Sequence, residues 1–273
     1  MSYEMQYREL VQDVIDFGQP RVCRNGETRA LFGQSIEICE LREKTFPVLT
    51  QRQIFYKGVL GELAAFVRGA TTVGEFKRWG CNYWDANAAN WRPNAHVPVE
   101  DQEIGQVYGA QWINWEKGGF NQIRHVLKSL TEDPHGRRHV LTTYSPTALS
   151  CLPPCHLLTQ FFVNKDKTLD CTVYMRSVDL IHGLPSDVVL YAALLIQVAG
   201  AVGCFPGRLI FFLGDAHVYE NHVSTWKEQQ LHNPIYGAPT YKAHRFDPLS
   251  FEPSDMYLIN YKHAGPIKYD FNV

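Results

Sequence analysis

The chain has 273 residues, 45% hydrophobic and 13% aromatic, which is enough to bury a large core. Its formal net charge of -2 excludes a surface that holds polyanions by bulk electrostatics. Nucleic acid is therefore not an expected partner, and a small anion has to be met by local arginines. Cys23, Cys39, Cys81, Cys151, Cys155, Cys171 and Cys204 are odd in number, irregularly spaced and without a CxxC pair. They read as reduced thiols, with neither a disulfide framework nor a metal site. The polar, charged start "MSYEMQYREL" is not expected to be a signal peptide, so a cytoplasmic location is expected, or host cytoplasm for a viral chain.

Residues 3–17 carry Leu10, Val11, Val14 and Ile15 at helical spacing and end at Gly18. Residues 18–38 mix turn signals with a strand-like run. "FYKGVLGELAAFVRG", 55–69, predicts a buried helix, and 80–110, rich in Asn, Trp and Pro, predicts a long surface excursion. "NQIRHVLKSLTEDP" predicts an amphipathic helix closed by Pro134. "RRHVLTTYS", "HLLTQFFVN" and "TLDCTVYMR" predict strands. An apolar helix is expected over 186–202, followed by a strand in "GRLIFFLGDAHVY". The apolar run "VVLYAALLIQVAGAVGCF" contains Gln197 and two glycines, which fits a core helix rather than a membrane span. The mixed order predicts an α+β fold on one large sheet, with 1–273 as a single domain.

Five groups of residues suit chemistry. In "LPPCHLL", Cys155 follows two prolines and precedes His156, and a neighbouring cation there would favour a thiolate nucleophile. The same thiol also fits a small buried residue at a strand start, and the Cys–His pair also fits a hydrolase. Arg137–Arg138 and Arg176–Ser177 offer guanidinium forks and a hydroxyl suited to a phosphate dianion, or else surface ion pairs. Glu62 sits in "VLGELAAF" among apolar neighbours, either paired or kept for proton transfer. His217 and Tyr219, two apart, share one face of an extended segment and suit a sugar hydroxyl or a structural polar cluster. Asp187 opens the apolar run of "HGLPSDVVLYAAL", which also fits a plain helix N-terminal carboxylate.

Taken in order, "RNGETRALFG", "GELAAF", "YWDANA", "VYGAQW", "DPHGRRHV", "LPPCH", "YMRSVDLIHGLP", "LGDAHVYENH" and "GPIKYDFNV" resemble the thymidylate synthase family over essentially the whole chain. The resemblance implies a homodimeric α+β fold whose large mixed sheet forms the dimer interface. It implies transfer of a one-carbon unit from 5,10-methylenetetrahydrofolate to C5 of a pyrimidine nucleotide, without a metal and away from membranes. By position, Cys155 is the implied nucleophile at C6, Glu62 manages protons through water, and Tyr108 belongs to the polar network that removes the C5 proton. Arg24, Arg176 and Ser177 are implied at the 5′-phosphate, joined by Arg137 and Arg138 from the other subunit. His217 and Tyr219 are implied at the sugar 3′-hydroxyl, Trp84 and Asp179 at the folate, and Val273 in the closing tail.

One departure bears on substrate. The family pattern has Asn where this chain has Asp187, and that Asn reads the edge of the pyrimidine. An amide matches uracil's N3–H donor and O4 acceptor, whereas an ionised carboxylate only accepts and would be repelled by O4. Cytosine's N4 amino donor and N3 acceptor form a bidentate pair with Asp187 if N3 is protonated or if the carboxyl carries that proton. This expectation is dCMP over dUMP, and the change, with Met175 in place of Gln, resembles the deoxycytidylate hydroxymethylase branch. Arg138 and Ser177 keep the residue types of the deoxynucleotide enzymes. "WDAN" puts Asn87 where the family has a second Trp, and "YDFNV" is more polar than the usual tail, so both favour water and a hydroxymethyl product. Methylation of dCMP, ordinary thymidylate synthesis from dUMP, and a nucleotide-binding protein without catalysis are the alternatives.

Overall fold

The computed structural model describes residues 1–91 and 97–272. The elements in chain order begin with α1 (Tyr3–Phe17), β1 (Gln19–Cys23), β2 (Gly26–Ile38), α2 (Tyr56–Phe66), α3 (Val73–Lys77), α4 (Asp85–Trp91), α5 (Tyr108–Ile113) and α6 (Gln122–Glu132). They continue with β3 (Val140–Thr142), β4 (His156–Val163), β5 (Thr168–Asp179), α7 (Gly183–Ala201), β6 (Phe205–Tyr219), α8 (Glu220–His232), β7 (Thr240–Ala243) and β8 (Met256–Ile259).

Six strands form one mixed sheet in the order β1-β2-β6-β5-β4-β3, the α+β arrangement expected from the mixed element order. Only β5 and β6 run parallel, because α7 carries the chain back across the sheet between them. α7 is apolar on nearly every side and is sandwiched between β5, β6 and α2, which explains an all-round hydrophobic helix without a membrane. Its one amide, Gln197, is buried but satisfied: it donates to the Arg245 carbonyl at 3.0 Å and accepts from Asp247 N–H at 3.1 Å.

Two expectations need correction. The 80–110 stretch is a surface excursion only in part: Val99–Asp101 has no buried residue, but Cys81, Trp84 and Ala88 at and around α4, and Ile104 and Val107 after it, are buried. The helix expected from 186 begins at Gly183, so Asp187 lies in its second turn, not at its opening.

Local sequence features aim the functional side chains. In β4 the alternation that buries Thr159, Phe161 and Val163 would turn His156 to the opposite face. A register shift between His156 and Leu158 inserts an extra residue and turns His156 inward. Gly109 lets α5 lie on α2, since a Cβ there would stand 2.2 Å from Phe66 Cα. Gly61 does the same for the 79–81 segment, where a Cβ would stand 2.0 Å from the Trp79 carbonyl. These two close approaches bring Tyr108 and Trp84 to Glu62.

Candidate active site

A cavity of about 880 Å³ opens at the ends of β5 and β6 and at the start of α7, a size that suits a nucleotide with a second ligand. The residues expected at the reacting base meet there: Cys155, Glu62, Tyr108 and Asp187 all line its wall. So do Arg24, Arg176, Ser177, His217 and Tyr219, and with them Trp84 and Asp179, the latter paired with His217 across β5 and β6. Arg137 and Arg138 are exposed and lie outside the described wall of the cavity. Val273 lies outside the described residues.

Cys155 sits immediately before β4. Its backbone N–H donates to the Tyr108 hydroxyl at 3.0 Å, and its sulfur lies 3.7 Å from Arg176 Nη2. Arg176 is itself fixed by donating Nε to the Pro154 carbonyl at 2.8 Å and Nη2 to the Pro153 carbonyl at 2.7 Å. The two prolines thus hold the cation as well as the thiol loop. Burial pushes the Cys155 thiol up, and Arg176 offsets only part of that.

The expected cation at His156 is absent. Its ring is buried, and burial drives its pKa down to about 3, so it stays neutral. It stacks on Tyr108 at 3.8 Å and 14°, and its Nδ1 meets the Tyr191 hydroxyl at 2.6 Å. An imidazole so held is no base for the thiol, which removes the hydrolase reading.

Glu62 is buried, and burial lifts it to about 7 despite the 2.9 Å hydrogen bond donated by Trp84 Nε1. Asp187 is pushed well above the usual carboxylate range by burial, with Glu62 adding to the effect. His156 Nε2 stands 3.8 Å from Asp187 Oδ1, and with a neutral ring this is not an ion pair. Burial thus favours the protonated form of Asp187 relative to an ordinary carboxylate. Of the two forms expected, ionised or carrying the proton, this favours the second, and a protonated carboxyl carries one donor and one acceptor, as an amide does.

At the sugar end, His217 Nδ1 is held by Asp215 Oδ1 at 2.9 Å, which leaves Nε2 to the cavity. The Tyr219 hydroxyl accepts from Asn25 Nδ2 at 2.6 Å and keeps its own proton to donate. The tail closes this end. The Asp270 carbonyl lies 3.0 Å from His182 Nε2 and 2.8 Å from His222 Nε2, and Phe271 and Asn272 line the cavity.

Sequence reasoning missed Asp215, Asn25 and Tyr191. The first was readable from the two-residue spacing in "GDAH", which puts both side chains on one face of a strand. Asn25 sat inside a quoted motif without a role, and Tyr191 was hidden in an apolar run.

The thymidylate synthase family model matches residues 5–273. The chain belongs to the thymidylate synthase family. Among curated relatives, the bifunctional dihydrofolate reductase-thymidylate synthase of Leishmania amazonensis is 35% identical over 99% of this chain and 55% of the relative. Thymidylate synthase 1/2 of Encephalitozoon cuniculi is 35% identical over 97% of this chain and 96% of the relative. Thymidylate synthase of Pseudomonas putida is 32% identical over 96% and 98%. The chain thus spans about half the length of the bifunctional relatives and nearly all of the other two. The mixed six-stranded sheet is the thymidylate synthase fold in this chain. Among the described residues no three His, Cys, Asp or Glu side chains gather as a metal site.

Proposed function

We propose that this thymidylate synthase family member transfers a one-carbon unit from 5,10-methylenetetrahydrofolate to C5 of dCMP and that the product is 5-hydroxymethyl-dCMP. The observation that carries the substrate choice is Asp187, a carboxyl in the cavity wall beside Glu62 and His156 that burial pushes well above the ordinary carboxylate range. Cytosine presents a lone pair at N3 and an amino donor at C4. A neutral carboxyl gives its proton to N3 and accepts from N4–H on its other oxygen. The proton drawn to N3 pulls electrons from C6 and favours addition of the Cys155 sulfur there. Uracil already carries a proton at N3, so an acid at this position adds nothing that an amide lacks.

The second reading is dUMP. The relatives' printed names favour it, and a neutral carboxyl also fits the uracil edge, with O–H to O4 and C=O to N3–H.

In this reading Arg24, Arg176 and Ser177 hold the 5′-phosphate, and His217 and Tyr219 hold the 3′-hydroxyl. That remote binding energy aligns the ring over the thiol. Glu62, held at about 7, takes and returns protons near neutrality, with Tyr108 in the same network. Trp84 and Asp179 offer an indole wall and a carboxylate acceptor that fit a pterin, with Val273 in the tail. The folate supplies a carbon at the oxidation level of formaldehyde when bound. Once C5 has gained that carbon, loss of the C5 proton expels the folate nitrogen and leaves an exocyclic methylene on the base, and the Cys155–C6 bond breaks to return the thiolate when a nucleophile has added to that methylene. Water added to it gives hydroxymethyl and leaves tetrahydrofolate, whereas hydride gives methyl and dihydrofolate. Asn87, one turn beyond Trp84 and in the cavity wall, supports water.

A homodimer is part of the proposal. Leu158, Tyr174 and Phe212 form a cross-strand row on the outer face of the sheet, all exposed, with Phe162 further along β4 and Phe32 on β2 also exposed. A face of that kind calls for a covering surface. A second copy laid on it would supply Arg137 and Arg138 to this chain's phosphate.

The test is turnover of dCMP and dUMP with methylenetetrahydrofolate, following dihydrofolate by absorbance and weighing the nucleotide product. Expected are faster turnover of dCMP, a gain of 30 Da on the order of one formaldehyde unit, and no dihydrofolate. Asp187→Asn is expected to lower kcat/KM for dCMP by roughly 10²-fold and raise it for dUMP. Faster turnover of dUMP by the unaltered protein overturns the substrate, and dihydrofolate formed in step with product overturns hydroxymethylation.

A further inference from the structure

Resting on the dCMP reading above, the geometry also says what aims the Asp187 proton. Tyr191 and Asp187 lie four residues apart on α7, so both side chains leave the same face of the helix. His156 stands between them. Its Nδ1 is 2.6 Å from the Tyr191 hydroxyl, and its Nε2 is 3.8 Å from Asp187 Oδ1. The ring cannot turn away, because Tyr108 stacks on it at 3.8 Å and Tyr191 meets it edge-on at 90°. Tyr191 is fully buried, packed edge-on against Trp112 and Phe211. A hydroxyl in that setting needs partners: the Thr159 hydroxyl is one and His156 Nδ1 the other, so with Thr159 donating to the phenol oxygen the phenol proton goes to the ring.

A neutral imidazole has one N–H and one lone pair, and the partner at one nitrogen decides the other. We propose that Tyr191 is a positioning residue for substrate choice: by donating to His156 Nδ1 it fixes the Nε2–H tautomer, which holds Asp187 Oδ1 and leaves Oδ2, with its proton, facing the base. The 3.8 Å gap closes with a small adjustment of the Asp187 side chain when a base presses on it, or is bridged by one water. When the proton passes to cytosine N3, the resulting carboxylate keeps a donor at Oδ1. With the opposite tautomer a lone pair would face Oδ1, and the carboxyl would turn its own proton onto His156 and away from the base. Neither Tyr191 nor His156 needs to touch the substrate for this.

The test combines a tautomer measurement with a substrate ratio. Imidazole ¹⁵N shifts of His156, assigned by its loss in His156→Gln, are expected to show Nε2 protonated and Nδ1 bare. Tyr191→Phe, which keeps the ring packing, is expected to give a tautomer mixture. It should lower the dCMP-to-dUMP ratio of kcat/KM by roughly tenfold, through kcat, with the KM for dCMP little changed. His156→Gln offers a carbonyl to Tyr191 and an N–H to Asp187, so it should keep most of the ratio that His156→Leu loses. A proton found on Nδ1 in the unaltered protein overturns the proposal, as does a Tyr191→Phe variant that slows both nucleotides equally. The unaltered protein preferring dUMP, with Nε2 protonated, overturns the dCMP reading and leaves the tautomer lock standing.

Discussion

The two ends of the cavity solve different problems with different chemistry. At the phosphate and sugar end the groups are charged or strongly polar and partly open to water: Arg24, Arg176, and Asp215 shared between His217 and Arg21. The His217 bond also holds the Asp215 carboxyl below its ordinary range. At the base end His156 is neutral, burial favours the protonated form of Asp187, and Glu62 is poised between its two forms near neutrality. Fixed charge suits a grip on a dianion, because it is the same before and after the reaction. Where water is excluded, ionisation is costly, so the acids keep their protons until a substrate atom can take them. The proposed chemistry works by where protons sit, not by a standing field.

Cys155→Ser tests that division most sharply. It removes the nucleophile and should lower turnover by roughly three orders of magnitude or more, with no protein–nucleotide adduct by mass spectrometry. Nucleotide affinity by calorimetry should hardly change, since Arg176, though 3.7 Å from the thiol, is held in place by the Pro153 and Pro154 carbonyls. A large loss of affinity would mean that the two ends are not separable.

Glu62→Gln comes next, with an expected fall in kcat of roughly 10²–10⁴-fold. It also has a stability signature. Burial raises Glu62 from 4.5 to about 7, so the folded chain holds that proton more tightly than the unfolded chain does. The favourable contribution is present below pH 4.5 and is lost as pH rises through about 7, an effect on the order of 3 kcal/mol. Gln keeps the acceptor for Trp84 Nε1 and has nothing to ionise. Thermal unfolding should therefore show the variant gaining on the unaltered protein between pH 5 and pH 8. A constant difference across that range would mean that Glu62 does not carry a raised pKa.

Much of the site was legible because its residues sit inside short ordered motifs: Cys155 after two prolines, Glu62 in an apolar helix, His217 and Tyr219 two apart on a strand. The helices at 3–17 and 122–132 and the long strand ending at Tyr219 were legible from periodicity alone. What escaped was three-dimensional. The bulge that turns His156 inward leaves alternation in "HLLTQFFV" looking regular, so nothing in the string says that its ring is buried. The ionisation of Asp187 depends on how α2, β4 and α7 close around it, which no spacing encodes. The region 80–110 looked like surface because Asn and Pro outnumber its few anchors, Trp84, Ala88, Ile104 and Val107, which are buried.

Arg137 and Arg138 mark the other limit, since their proposed ligand belongs to a different copy of the chain. The smallest expected effect tests this. Arg138→Ala removes one charge-assisted contact to the phosphate and should raise the KM for nucleotide by roughly ten- to a hundredfold, with the thiol end untouched. Mixing this variant with Cys155→Ser separates a grip made within one chain from a grip made across two. In a hybrid dimer one site combines an intact Cys155 with an intact Arg138 from the other subunit, while the second site has neither. Random re-pairing in equal amounts should restore about a quarter of the sites to low KM, although each variant alone is poor or inactive. If Arg138 served its own chain's cavity, no pairing of these variants would build a complete site, and mixing would restore nothing. Recovery would place the phosphate grip on the apolar face where Tyr174 and Phe212 lie exposed, and would join the charged end of the cavity to a second copy while the buried end stays within one chain.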